Sequence, residues 1–83
     1  MSKTEVDATA EEITRYLEQH PDAADSAEGI QRWWLGSEEN QVSFETVYRA
    51  LCLLERRGVV RADMVEGGPV IYRRVRHRKR RSG

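Results

Sequence analysis

Residues 43–57 carry the pattern that most restricts the fold. Phe44, Val47, Leu51 and Leu54 follow at spacings of three, four and three, the period of a helix that buries one side. At an advance of about 100° per residue the four fall within about 80° of arc. Ser43 stands where an N-cap hydroxyl is wanted, and Gly58 where a helix ends in the left-handed region. Glu45, Arg49, Cys52 and Arg56 lie near the opposite side, with Thr46 and Leu53 on one flank. Tyr48 falls at the boundary, about 80° from the centre of the stripe. The rest of an 83-residue chain must cover that stripe, so one small domain is expected.

The segments before and after this helix supply the cover. Thr9-Ala10-Glu11-Glu12 fits a capping box. Ala10, Ile13, Tyr16 and Leu17 then recur at helical spacing. Pro21 stops this first helix, because the residue before proline avoids the α region, and "PDAAD" reads as a connector. Ser26 suits the N-cap of a second, short helix, with Glu28 in its first turn. Ile30, Trp33 and Trp34 are spaced to share one face, and Gly36 is placed to end the helix. After Gly58, "VVRADMV" and "VIYRRV" are rich in β-branched residues and flank "EGGP". That reads as a hairpin over 59–75 with a Gly-Gly turn. Three helices closed by a two-stranded hairpin make an α+β winged helix-turn-helix. The expected organisation is a loose arm over 1–8, the winged-helix domain over 9–75, and a disordered basic tail over 76–83.

Composition narrows the functions. Cys52 is alone, which excludes an internal disulfide. His20 and His77 lack the companions a metal site needs, and no cofactor is implied. No apolar run reaches the roughly 18 residues of a membrane span. The first residues lack the apolar core of a secretory signal, so a cytoplasmic protein is expected. No nucleophile–base or paired-carboxylate constellation suggests an enzyme.

The zero net charge conceals a split. Residues 1–45 hold eleven acids and three bases, and residues 46–83 hold three acids and eleven bases. An anionic partner for the second half follows naturally. The run "RRVRHRKRR" (73–81) has seven Arg/Lys in nine positions, enough for sequence-blind, salt-dependent affinity for phosphates. A helix that enters a major groove wants short polar residues at its N-terminus and an outward arginine, which pairs with guanine O6 and N7. Ser43, Thr46, Tyr48 and Arg49 meet that description. Glu45 opposes it, unless its carboxylate accepts from a cytosine amine. Arg56 on the same helix and Arg61, Arg73 and Arg74 on the hairpin are candidates for backbone contacts.

"VSFETVYRALCLLERRGVV" followed by "EGGPVIYRR" resembles the DNA-binding domain of the ferric uptake regulator family, over about residues 26–75. The resemblance rests on Ser43, Thr46-Val47-Tyr48-Arg49, Leu51, Leu54, Gly58 and the hairpin, with "SAEGI" like the start of the preceding helix. It implies that Tyr48 and Arg49 contact DNA. The metal-binding dimerisation domain of that family has no counterpart in these residues, so no metal site carries over. Trp33-Trp34 and Glu45 also depart from its usual pattern. The expectation is a small transcriptional regulator that binds double-stranded DNA as a homodimer, with helix 43–57 in the major groove and hairpin 59–75 as its wing. The alternative is a protein-interaction winged helix with Trp33, Trp34 and Leu53 at the interface.

Overall fold

The computed structural model describes residues 4–35 and 42–75. Helix α1 spans Glu5–Gln19. Strand β1 (Ala24–Ser26) follows and runs directly into α2 (Ala27–Gly29), which continues as a π-type turn over Ile30–Trp34. Helix α3 is Phe44–Arg56, and strands β2 (Val60–Met64) and β3 (Val70–Arg74) form the hairpin. The three strands make one antiparallel sheet in the order β1-β3-β2. Three helices with this sheet are a winged helix, as the sequence leads one to expect.

Helix α1 begins earlier than its capping box suggests. The cap is Thr4, whose hydroxyl accepts from the Asp7 amide at 3.0 Å. Thr9 lies a full turn inside the helix and is buried. The earlier start puts Glu5 and Asp7 in the first turn, where the helix dipole favours acids. It also packs Val6 against the core. Residues 5–8 are therefore helix rather than arm. The opposite end closes before Pro21, with the His20 amide donating to the Tyr16 carbonyl at 2.8 Å.

Strand β1 lies in the segment expected to be a connector. Ala, Asp and Ser are weak strand formers; the strand exists because β3 offers an edge, pairing Ala24 with Arg73 and Ser26 with Ile71. Ser26 then caps α2, its hydroxyl accepting from the Gly29 amide at 3.1 Å. Asp25 accepts from the Ser26 amide at 2.8 Å. A Cβ at Gly29 would collide with that carboxylate, so a larger residue there would have to push the Asp25 side chain aside.

The π-type turn changes which residues share a face. The Leu35 amide bonds the Ile30 carbonyl at 3.1 Å, five residues apart rather than four. Ile30 and Leu35 are buried together, whereas Trp33 is 70% exposed. Trp34 is half-buried and stacks on Tyr16, ring centroids 4.6 Å apart. The common face of Ile30, Trp33 and Trp34 expected for an ordinary helix is therefore not formed. Gly36 lies outside the described residues. Gln31 ties this turn to the lead-in of α3, donating to the Val42 carbonyl at 2.7 Å.

Helix α3 starts at Ser43, whose hydroxyl accepts from the Thr46 amide at 3.2 Å. Its buried residues are Val47, Ala50, Leu51 and Leu54. Phe44 is expected in this stripe but is 50% exposed. Once Ala50 is counted, the buried arc rotates, leaving Phe44 about 70° from its centre. Gly58 closes the helix at φ 78°. The Val59 amide bonds the Leu54 carbonyl at 2.8 Å and the Gly58 amide that of Glu55 at 3.1 Å, a Schellman closure. The hairpin turns through Gly67 (φ 75°), with the Gly68 amide donating to the Val65 carbonyl at 2.9 Å. The core joins α1 (Ala10, Ile13, Leu17), Ile30, the α3 stripe, Val60 and Tyr72.

The exposure of Phe44 and the burial of Leu51 set a contrast. Leu51→Ala should cost about 2–5 kcal/mol of folding free energy. Phe44→Ala should cost less than half of whatever Leu51→Ala costs. Chemical denaturation of the two variants measures both.

Candidate nucleic-acid interface

The burial of Val47, Ala50, Leu51 and Leu54 fixes the rotation of α3 and hence its outward face. Arg49 lies there with its side chain 65% exposed, paired to Glu45 one turn earlier through Nη2 and Oε2 at 2.9 Å. Glu preceding Arg by four residues is the favourable order along a helix. Ser43 and Thr46 sit at the N-terminus and engage each other, the Ser43 hydroxyl donating to Thr46 Oγ1 at 3.0 Å. Tyr48 is about half exposed. Arg56 is exposed about two turns beyond Arg49. It has no acidic partner among the described residues.

The hairpin arginines divide between two sheet faces. Arg61 stands opposite Arg73, and Ala62 opposite Tyr72. Tyr72 is buried, so the alternation of a strand places Arg61, Asp63 and Arg73 on the other face. There Asp63 holds both arginines: its Oδ2 is 2.8 Å from Arg73 Nε and its Oδ1 3.2 Å from Arg61 Nε. Arg74 shares the Tyr72 face, opposite Val60, and is exposed at the strand end. It has no acidic partner among the described residues. The structure thus gathers Ser43, Thr46, Tyr48 and Arg49 on the first turns of α3. It gathers Arg61 and Arg73 around one carboxylate, and sets Arg56 and Arg74 apart from both groups.

A groove of about 500 Å³ lies between the starts of α2 and α3 and the base of β3, lined by Phe44, Tyr48, Tyr72, Pro69, Val70 and Ala27, with Ser26 and Glu28 at its side. Sequence reasoning misses it because it assigns Phe44 to the core. The signal is present in the first-turn position of Phe44, at one end of the apolar stripe. Cys52 and Glu55 follow Tyr48 on the same side of α3, four and seven residues on, and all three act electrostatically on Tyr72. Cys52 pushes the Tyr48 phenol upward, by electrostatic repulsion and by a side-chain hydrogen bond. Burial pushes the Tyr72 phenol upward, and charge on Tyr48, Cys52 and Glu55 adds to it.

The family model described as the ferric uptake regulator family matches residues 4–81. The chain belongs to the ferric uptake regulator family. That is a family of winged-helix DNA-binding transcription regulators, and the three helices and antiparallel sheet described above fit it. The match takes in α1 and β1 as well as the 26–75 region that carries the "TVYR" resemblance. No curated protein and no solved structure matches the chain. Among the described residues of this family member, no group of three or more His, Cys, Asp or Glu side chains could hold a metal ion. No described helix is long and apolar enough to cross a membrane.

Tyr48 and Tyr72 give a pH signature. Both phenols are held neutral in the folded state, so stability is retained below the ordinary tyrosine value of 10.0 and falls as pH rises through the raised value. Tyr48→Phe removes one of the charges that oppose ionisation of Tyr72. It should therefore bring the Tyr72 titration back toward 10.0, followed by the ring NMR shifts of Tyr72.

Proposed function

We propose that the protein is a sequence-specific, DNA-binding transcriptional regulator that lays α3 in the major groove and uses the β2–β3 hairpin as its wing. The observation that carries this reading is the outward face of α3. In a chain of a DNA-binding family, it presents Arg49 one turn beyond a hydroxyl-bearing N-terminus. Arg49 reads a guanine through O6 and N7. Ser43, Thr46 and Tyr48 position the helix on phosphates, and Tyr48 also reaches a thymine methyl. Arg56, Arg61, Arg73 and Arg74 add electrostatic affinity, together with the basic tail, whose residues 76–83 lie outside those described.

Magnitudes support release of Arg49 from Glu45. An exposed pair at this spacing is worth about 0.3–0.5 kcal/mol, and a bidentate base contact about 1–3 kcal/mol. The Asp63 carboxylate takes one charge from the Arg61–Arg73 group, so each of those arginines contributes less than Arg74. One such unit reads few base pairs, so we place a homodimer on a two-fold site. Regulators of this family are typically dimeric and cytoplasmic, and the proposal assigns both properties here.

One observation favours a protein contact as well. Trp33 is 70% exposed, and an exposed indole is a common anchor at interfaces. Trp34, stacked on Tyr16, and Leu53, packed against the core, are less available. Trp33 therefore suits a subunit contact better than a broad interaction surface replacing DNA.

Selection of sites from a random DNA pool tests the reading. Arg49→Ala should relax base preference by about 1–3 kcal/mol at one position. An unchanged preference means that α3 is not the reader. Truncation after Val75 should mainly flatten the dependence of log affinity on log salt, by about 0.9 for each phosphate the tail no longer neutralises. Arg74→Ala should flatten it more than Arg61→Ala or Arg73→Ala does. Binding that is absent, or indifferent to salt, sinks the DNA reading.

A further inference from the structure

A carboxylate on the DNA-facing side of a reading helix needs an explanation, because it approaches phosphates. Glu45 is such a group. It lies in the first turn of α3, 72% exposed, about 40° around the helix from Arg49. The Ser43 and Thr46 hydroxyls beside it are turned toward each other and the cap. They do not donate to the carboxylate. Its bond to Arg49 joins Oε2 to Nη2. Oε1 on one side, and the guanidinium Nε and Nη1 on the other, make no further bond among the described residues. The pair therefore presents an acceptor and several donors side by side, held together but exposed.

The spacing suits neighbouring base pairs. Four residues of helix advance about 6 Å, close to two base-pair steps of about 3.4 Å. Arg49 matches the acceptors of guanine. A carboxylate matches the N4 amine of cytosine, and meets repulsive acceptors at guanine O6 or thymine O4. Adenine offers one amine but sets the N7 acceptor next to it. An ionised group taken from water into the groove without a donor is strongly penalised, and a penalty on wrong partners is what produces discrimination.

We propose that Glu45 is a specificity-determining residue: it accepts from the N4 amine of a cytosine lying within about two base pairs of the guanine read by Arg49. This inference rests on the DNA reading given above. The simpler role, an i,i+4 pair that only steadies the helix, makes a different prediction.

The full 83-residue chain, its Glu45→Gln variant and its Arg49→Ala variant are each taken through site selection from random duplex DNA. Affinities for the selected site and its single-base variants follow, with circular dichroism as a check on folding. Wild type should select a cytosine near the Arg49-dependent guanine and prefer it over thymine by about fivefold or more. Glu45→Gln should lose that preference and turn it toward adenine, whose N6 and N7 match an amide. Its guanine preference should stay intact. If Glu45→Gln tightens binding to all sites equally and leaves every base preference unchanged, Glu45 is only a counter-charge and the inference fails. If the guanine tracks Arg49 but no cytosine tracks Glu45, this inference fails while the DNA reading stands. If wild type selects no motif, both fail.

Discussion

Everything outward on this domain depends on how α3 is rotated, and that rotation is set by the burial of Val47, Ala50, Leu51 and Leu54. Each large aliphatic side chain in that row contributes about 1.5–3 kcal/mol by leaving water. A turn of the helix about its axis would expose several of them at once, so the angle is stiffly defined. The Ser43 cap and the Gly58 closure then fix where the helix starts and stops. The outward row of Glu45, Arg49 and Arg56 is the remainder after these constraints have been met.

The helices of the fold are largely legible in the sequence for this reason. A 13-residue helix with a strong apolar period is overdetermined; its face is read correctly even when one member is wrong. Phe44 is misplaced because a stripe drawn without Ala50 is centred too near it. Ala50 escapes notice because a small side chain contributes little to an apolar pattern, although it is wholly buried. The other features that escape are those decided by partners distant in sequence. β1 is a strand because β3 lies beside it, not because Ala-Asp-Ser favours strands. The π-type turn displaces Trp33 by adding a residue to a helical turn, which the spacing of apolar residues does not announce. In α1, the Thr9 capping box is a local pattern that loses to a cap at Thr4, and the packing of Val6 goes with that earlier start.

The candidate site is legible in the angular positions of its residues and much less so in its electrostatics. Counting charges divides the chain into an acidic first half and a basic second half. The folded molecule redistributes them. Glu45, the last acid of the first half, lies against Arg49, and Asp63, one of the few acids of the second, lies between Arg61 and Arg73. A count along the chain carries no information about strand register, and it is register that sets Asp63 diagonally across from Arg73.

β3 is the central strand, hydrogen-bonded to β1 on one edge and β2 on the other. Wings built from a bare hairpin hold their distal strand from one side only. Here the backbone at Arg73 is clamped from both, by Ala24 and by Arg61, and that at Arg74 is paired with Val60. The loss of main-chain freedom at these two arginines is met when the domain folds, and a later encounter with a polyanion has only their side chains left to order. The three-residue β1, unremarkable in composition, thus converts the wing from a flexible finger into a pre-set support.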